Sequence, residues 1–99
     1  MFYIANFLAL SAYQKRDFFD KLESLKSIRV VNQKVVLDEN ALIIEFAKGT
    51  KLKYLQSKIE SFLGVYGGVE VKRIKRLIEH PKELTIVFEN GEKKIKIGE

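Results

Sequence analysis

A helix–strand–strand pattern runs through this chain twice, offset by about 41–42 residues, and a recurrence of that length constrains the fold more than any chemical motif present. Asn40-Ala41-Leu42-Ile43-Ile44-Glu45-Phe46-Ala47-Lys48-Gly49 lies over Lys82-Glu83-Leu84-Thr85-Ile86-Val87-Phe88-Glu89-Asn90-Gly91, with Leu42/Leu84, Ile44/Ile86, Phe46/Phe88 and Gly49/Gly91 in step. A slip of one residue brings Tyr13, Phe18, Leu22, Leu25, Ile28 and Val30 over Tyr54, Ile59, Leu63, Tyr66, Val69 and Val71. Any two amphipathic units with alternating apolar residues can fall into such step, so an αββ duplication is one origin of the pattern and chance another. The element order follows either way.

Phe2 to Leu10 is apolar on both parities, which suits a buried strand or the start of a helix; the strand is preferred. Ser11-Ala12-Tyr13-Gln14 has the capping-box form, in which the serine hydroxyl and the glutamine side chain satisfy backbone N–H groups at a helix start. The spacing predicts a helix from about Ala12 to about Leu25, with Phe18, Leu22 and Leu25 on one face. Ile28 to Leu37 is rich in β-branched residues around the polar Asn32-Gln33-Lys34, as one bulged strand or a tight hairpin. Ala41 to Ala47 returns as a strand apolar on both faces, hence central in its sheet. Leu52, Leu55, Ile59, Phe62, Leu63 and Tyr66 form the apolar stripe of a second helix, ended by Gly67-Gly68. Val69 to Glu79 fits either a bulged strand or a short helix, with the strand preferred. Glu83 to Ile97 reads as a hairpin turning at Asn90-Gly91, a pair suited to a type I′ turn. The sum is an α+β domain over residues 1–99, two helices packed on one face of a mostly antiparallel β-sheet.

Ninety-nine residues suffice for one core, and 46 % hydrophobic with 31 % charged residues is a folding composition. The chain has no cysteine and one histidine, which excludes disulfides, thiol nucleophiles and multi-histidine metal sites. Phe2 to Leu10 is too short to span a bilayer and lacks the basic flank of a signal peptide, so an intracellular protein without a membrane span is expected. Burial of this stretch within the domain is preferred over an interfacial membrane anchor. Asp17 with Asp20, Asp38 with Glu39, and His80 lack a nucleophile or base at telling spacing, so neither an enzyme nor a cofactor is expected.

Lysine and arginine outnumber aspartate and glutamate 18 to 13, a net charge of +5. Lys72-Arg73-Lys75-Arg76 is the densest cationic run, and such runs bind phosphate backbones through neutralisation and counterion release. As a helix the segment would present all four on much of one side; as a strand, alternation would split them, and they would equally serve as a charged edge. Lys48-Gly49-Thr50-Lys51, followed by Lys53, lies where a strand passes into the second helix, a place where free N–H groups and lysines can hold an anion. It lacks the glycine spacing of a nucleotide-binding loop, and Thr50 also reads as a plain N-cap. Lys93-Lys94-Lys96 could extend a phosphate-binding surface or protect an edge. Tyr13, Tyr54 and Tyr66 could stack on bases, but core or rim packing is preferred.

The chain as a whole, particularly the opening Phe2-to-Leu22 segment with Ser11-Ala12-Tyr13-Gln14-Lys15-Arg16-Asp17-Phe18-Phe19 and the hairpin Phe88-Glu89-Asn90-Gly91-Glu92-Lys93-Lys94, resembles small proteins of filamentous and rod-shaped viruses of hyperthermophilic archaea, the lipothrixviruses and rudiviruses, over its full length and not through a motif. The resemblance implies a linear double-stranded DNA virus, a hot acidic habitat and action in the host cytoplasm, and carries no site residues. The high lysine and glutamate content with one proline also suits a hot habitat. The expected function is that of a small non-enzymatic accessory protein binding nucleic acid through Lys51, Lys53, Lys72, Arg73, Lys75 and Arg76. The alternative is a homodimeric protein-interaction module using a strand edge or the apolar N-terminus.

Overall fold

In the computed structural model, which describes residues 1–25, 28–47 and 52–96, the chain orders as β1 (Phe2–Ala5), α1 (Ala12–Glu23), β2 (Val30–Val36), β3 (Ala41–Phe46), α2 (Leu52–Leu63), β4 (Glu70–Glu79), β5 (Glu83–Phe88) and β6 (Gly91–Lys96). Short 3₁₀ turns occupy Phe7–Ala9 and Leu37–Glu39. The strands form one antiparallel sheet in the order β2-β3-β1-β4-β5-β6. Both helices lie on one face of it and share a core with it. This is the α+β arrangement that the pattern predicts.

Local chemistry explains the elements. The capping box forms: the Ser11 hydroxyl accepts from the Gln14 N–H at 3.1 Å, and the Gln14 side chain accepts from the Ser11 N–H at 3.0 Å. The apolar N-terminal run divides, β1 giving way at Asn6, whose left-handed backbone (φ 61°) turns the chain into the 3₁₀ segment. The Asn6 side-chain amide donates to the Gly68 carbonyl at 3.0 Å, tying this turn to the glycine pair beyond α2. That helix stops at Leu63, one turn before the glycines expected to end it. Ile28 to Leu37 proves to be one strand with a bulge between Val30 and Asn32, and Val69 to Glu79 is likewise a bulged strand. The β5–β6 hairpin is present with a different turn. Phe88 pairs with Gly91, so the loop residues are Glu89 and Asn90, and of Asn90 and Gly91 only Gly91 takes a positive φ (148°). A type I′ turn at Asn90-Gly91 is thereby excluded, because cross-strand pairing of Gly91 moves the turn one residue earlier.

Alternation on the strands then builds two cores rather than one. Phe2 and Ile4 of β1, with Leu42, Ile44 and Phe46 of β3, pack under Phe18, Leu22, Leu55, Ile59 and Leu63 of the helices. The intervening Tyr3, Ala41 and Ile43 point the other way, into a second buried cluster with Val36, Ile74, Leu84, Ile86 and Ile95. That cluster draws on all six strands without a covering helix, so the sheet must supply its own cover by curling. Laid flat, six strands would span roughly 24 Å from edge to edge. Yet Lys93 on the edge strand β6 reaches Glu39, in the turn joining β2 to β3, at 2.8 Å. Lys34 of β2 likewise pairs with Glu79 at the far end of β4. Two ion pairs thus hold the curled ends together across the second core.

The two helix–strand–strand units, α1-β2-β3 and α2-β4-β5, share element order but not placement. Leu42 and Ile44 face the helices, whereas their counterparts Leu84 and Ile86 face the second core. The counterparts Ile28 and Val69, and Val30 and Val71, all pack against the helix-side cluster, so the second unit departs from the first at β5 and not at the start of β4.

Candidate nucleic-acid interface

The ten-residue strand β4 serves two neighbours in succession. Glu70–Arg73 pair with β1, and from Ile74 onward the strand pairs with β5. Lys72, Arg73, Lys75 and Arg76 are all exposed, but the register separates them. Arg73 stands opposite Phe2 and so shares the helix-side face, while Lys72 stands opposite Tyr3 on the second-core face. Beyond Ile74, strict alternation would return Arg76 to the Lys72 side. The bulge between Ile74 and Arg76 prevents this by inserting Lys75 as an unpaired residue. Arg76 then pairs with Val87 and Leu77 with Ile86, which keeps Arg76 on the outer face and Leu77 against the second core.

The β5–β6 register brings further cations to that outer face. Lys94 lies opposite Thr85 and Lys96 opposite Glu83, while Leu84, Ile86 and Ile95 point inward. The face reads in cross-strand rows: Arg76, Val87, Glu92; Ile78, Thr85, Lys94; then Glu83, Lys96. No residue of β5 or β6 belongs to the cluster packed beneath the helices, so this part of the sheet is left uncovered by them. Lys94 and Lys96 were not among the expected binding residues. Their signal was the Lys-Ile-Lys alternation, which sequence alone leaves equally open to edge protection.

Electrostatics divides the lysines and arginines in the same way. On the second-core face, Lys72 sits 3.8 Å from Glu70 and 5.5 Å from the centre of the Phe88 ring. Lys93 pairs with Glu39 and lies 5.9 Å from the centre of the Tyr3 ring; the Glu39 carboxylate beside it holds its ammonium above the usual lysine value. Burial pushes the Tyr3 hydroxyl up, against the pull of Lys93. By contrast, among the described residues Arg73, Lys75, Arg76, Lys94 and Lys96 enter no ion pair and no ring contact. Five unpaired cations therefore lie on the outer face and at its bulge, beside Glu83 and Glu92, while Lys15, Arg16, Arg29 and Lys82 are likewise unpaired elsewhere on the described surface.

Beside the unpaired edge of Glu70–Arg73 is a cleft of about 630 Å³, bounded by Gln56, Lys72, Arg73, Phe88, Asn90 and Lys93. Glu70, Glu89 and Glu92 also line it. Their carboxylates offset the cations, so the cleft does not offer a phosphate a net positive wall.

Comparison with known proteins finds no matching family model, curated protein or solved structure. The chemistry of this face rests on its geometry. Of the other expected site residues, Lys51 lies outside the described residues, together with Lys48, Gly49 and Thr50. Lys53 enters in the first turn of α2, with its side chain outside what is described. Tyr13 and Tyr54 stand in solvent at 77 % and 51 % exposure rather than packing at the rim, because both fall off the buried stripe of their helices. His80 decorates the β4–β5 turn, its backbone N–H donating to Glu83 at 2.9 Å. No described helix is long and apolar enough to cross a membrane. Of the N-terminal run, Phe2, Tyr3 and Ile4 of β1 are buried at the centre of the sheet and Phe7 beneath the helices, while Leu8 and Leu10 are half-buried and Ala9 is exposed.

Proposed function

We propose that the protein binds the phosphate backbone of nucleic acid on the outer face of β4, β5 and β6, through Arg73, Lys75, Arg76, Lys94 and Lys96. One observation supports this reading most: these exposed cations are without carboxylate partners among the described residues, while Lys72, Lys93 and Lys34 are each paired with a glutamate. A cation already tied to a carboxylate gains little by exchanging it for a phosphate. An uncommitted one releases the polymer's condensed counterions, which drives association. Half-buried Ile78 and Val87 and the buried Thr85 lie between its charges, with no aromatic ring, so it offers backbone attraction rather than base stacking or base readout. Binding is therefore expected to be indifferent to sequence.

Fluorescence anisotropy with labelled duplex DNA, single-stranded DNA and RNA at several salt concentrations tests this. If all five cations reach phosphates, log K should fall with log salt at a slope of about −4 to −5 on duplex DNA, with micromolar affinity at moderate salt. Absence of binding at low salt, or binding insensitive to salt, contradicts it. Given the resemblance to proteins of linear double-stranded DNA viruses, duplex DNA is the first polymer to try.

A further inference from the structure

The two ends of the sheet are built differently. β6 carries Glu92, Lys93, Lys94 and Lys96, the charged composition that discourages another strand from pairing with an edge. β2, at the opposite end, reads Val30-Val31-Asn32-Gln33-Lys34-Val35-Val36, a near-palindrome centred on Gln33. Val31 and Val35 are 52 % and 51 % exposed, and the adjoining Leu37 is 76 % exposed. The one charged side chain of this strand, Lys34, stands opposite Ile43 on the second-core side and is neutralised by Glu79. β2 is thus an open edge with apolar side chains and no uncompensated charge to repel a copy of itself.

We propose that two copies of this chain pair β2 against β2, antiparallel, about a two-fold axis at Gln33, joining their sheets edge to edge. The palindrome makes this register self-complementary, as a two-fold contact requires. Gln33 meets the partner's Gln33, and each amide carries both donors and an acceptor for the other. Val31 meets the partner's Val35, and Val35 meets the partner's Val31. Asn32 meets the partner's Lys34, so no like charges oppose one another. Gln33 and Val35 stand opposite Ile44 and Leu42, which places them on the helix-side face with Val30, opposite Phe46, while Val31 is the half-exposed residue at the bulge between Val30 and Asn32. Each Val35 then meets the partner's bulge, where Val30 and the half-exposed Val31 stand, so apolar side chains flank the axis on both sides. An interface of one strand edge is small, and the dimer should dissociate on dilution. The inference stands apart from nucleic-acid binding: it uses the opposite end of the sheet and none of the five cations.

Sedimentation velocity of the full chain over a micromolar to millimolar series tests it, with Val35→Lys alongside. The wild type should rise from 11.5 kDa toward twice that mass as concentration increases. V35K, whose half-exposed site tolerates a lysine in the monomer, should keep its circular dichroism and stay monomeric. Because the chain has no cysteine, Gln33→Cys gives a second, independent readout. Directly opposed cysteines at a two-fold are close enough for a disulfide, so Q33C should form a covalent dimer under mild oxidation while Lys94→Cys on the far edge does not. A wild type that is monomeric throughout, a V35K that dimerises unchanged, or equal cross-linking of the two cysteine variants would overturn the proposal.

Discussion

Tyr66 lies just past α2, yet its hydroxyl donates to Asp17 on α1, and Lys21 holds the same carboxylate at 3.0 Å. The Tyr66 contact clasps the segment just past α2 to α1, and the Lys21 pair within α1 steadies the same carboxylate. The Tyr66 hydrogen bond, followed by that of Lys21, holds the Asp17 carboxyl below the usual carboxylate range. The same bond pushes the Tyr66 hydroxyl up to about 12. The signs differ at the two ends of the pH scale. A depressed carboxyl stabilises the fold above its unfolded value, near 3.9, and that contribution disappears as pH falls through the folded value. A raised tyrosine stabilises the fold below about 10, and its contribution is lost as pH climbs from about 10 toward 12. In Tyr66→Phe the Asp17 carboxyl should titrate closer to its ordinary value, with Lys21 still lowering it, and the ultraviolet tyrosine step near pH 12 should vanish. An unchanged Asp17 titration by carbon NMR would show that the clasp does not form.

At the scale of elements, the helices were the most legible part of the sequence. The Ser11–Gln14 box and the stripe through Leu55, Ile59 and Leu63 are local signals, and local chemistry decides them. The strands were legible in kind but not in consequence. Phe2-Tyr3-Ile4 and Leu42-Ile43-Ile44 are apolar on both parities, which announces burial on both faces without saying what covers the second. That cover depends on long-range pairing and on the curl of the sheet, which no short window records. The binding face shows the same limit. Alternation along β4 separates Lys72 from Arg73, as expected for a strand, but the return of Arg76 to the Arg73 side depends on a one-residue bulge fixed only by pairing with β5. Lys94 and Lys96 join the face through that pairing as well.

Two separate cores make a prediction about strand β5. Ile59, under the helices, and Ile86, in the second cluster, are both fully buried. Replacing either by alanine should cost about 2–5 kcal/mol in urea unfolding, by lost transfer energy and the cavity left behind. Since the two share no cluster, the double variant should lose about the sum of the single costs, within roughly 0.5 kcal/mol. A cost below about 1 kcal/mol for Ile86→Ala would mean that the unhelical face is merely surface.

For the molecule as a whole, the sheet assigns its cations to separate tasks: Lys34 and Lys93 close the curl, Lys72 rests on Phe88 beside Glu70, and the outer face keeps its charges uncommitted. The most direct test compares duplex-DNA affinity and its salt dependence for the wild type, for Lys72→Gln, and for the double variant Arg76→Gln with Lys94→Gln. The double variant should bind more weakly and lose about 2 from the magnitude of the salt slope, while Lys72→Gln should match the wild type. Equal losses in both variants, or a loss confined to Lys72→Gln, would contradict the assignment of the outer face.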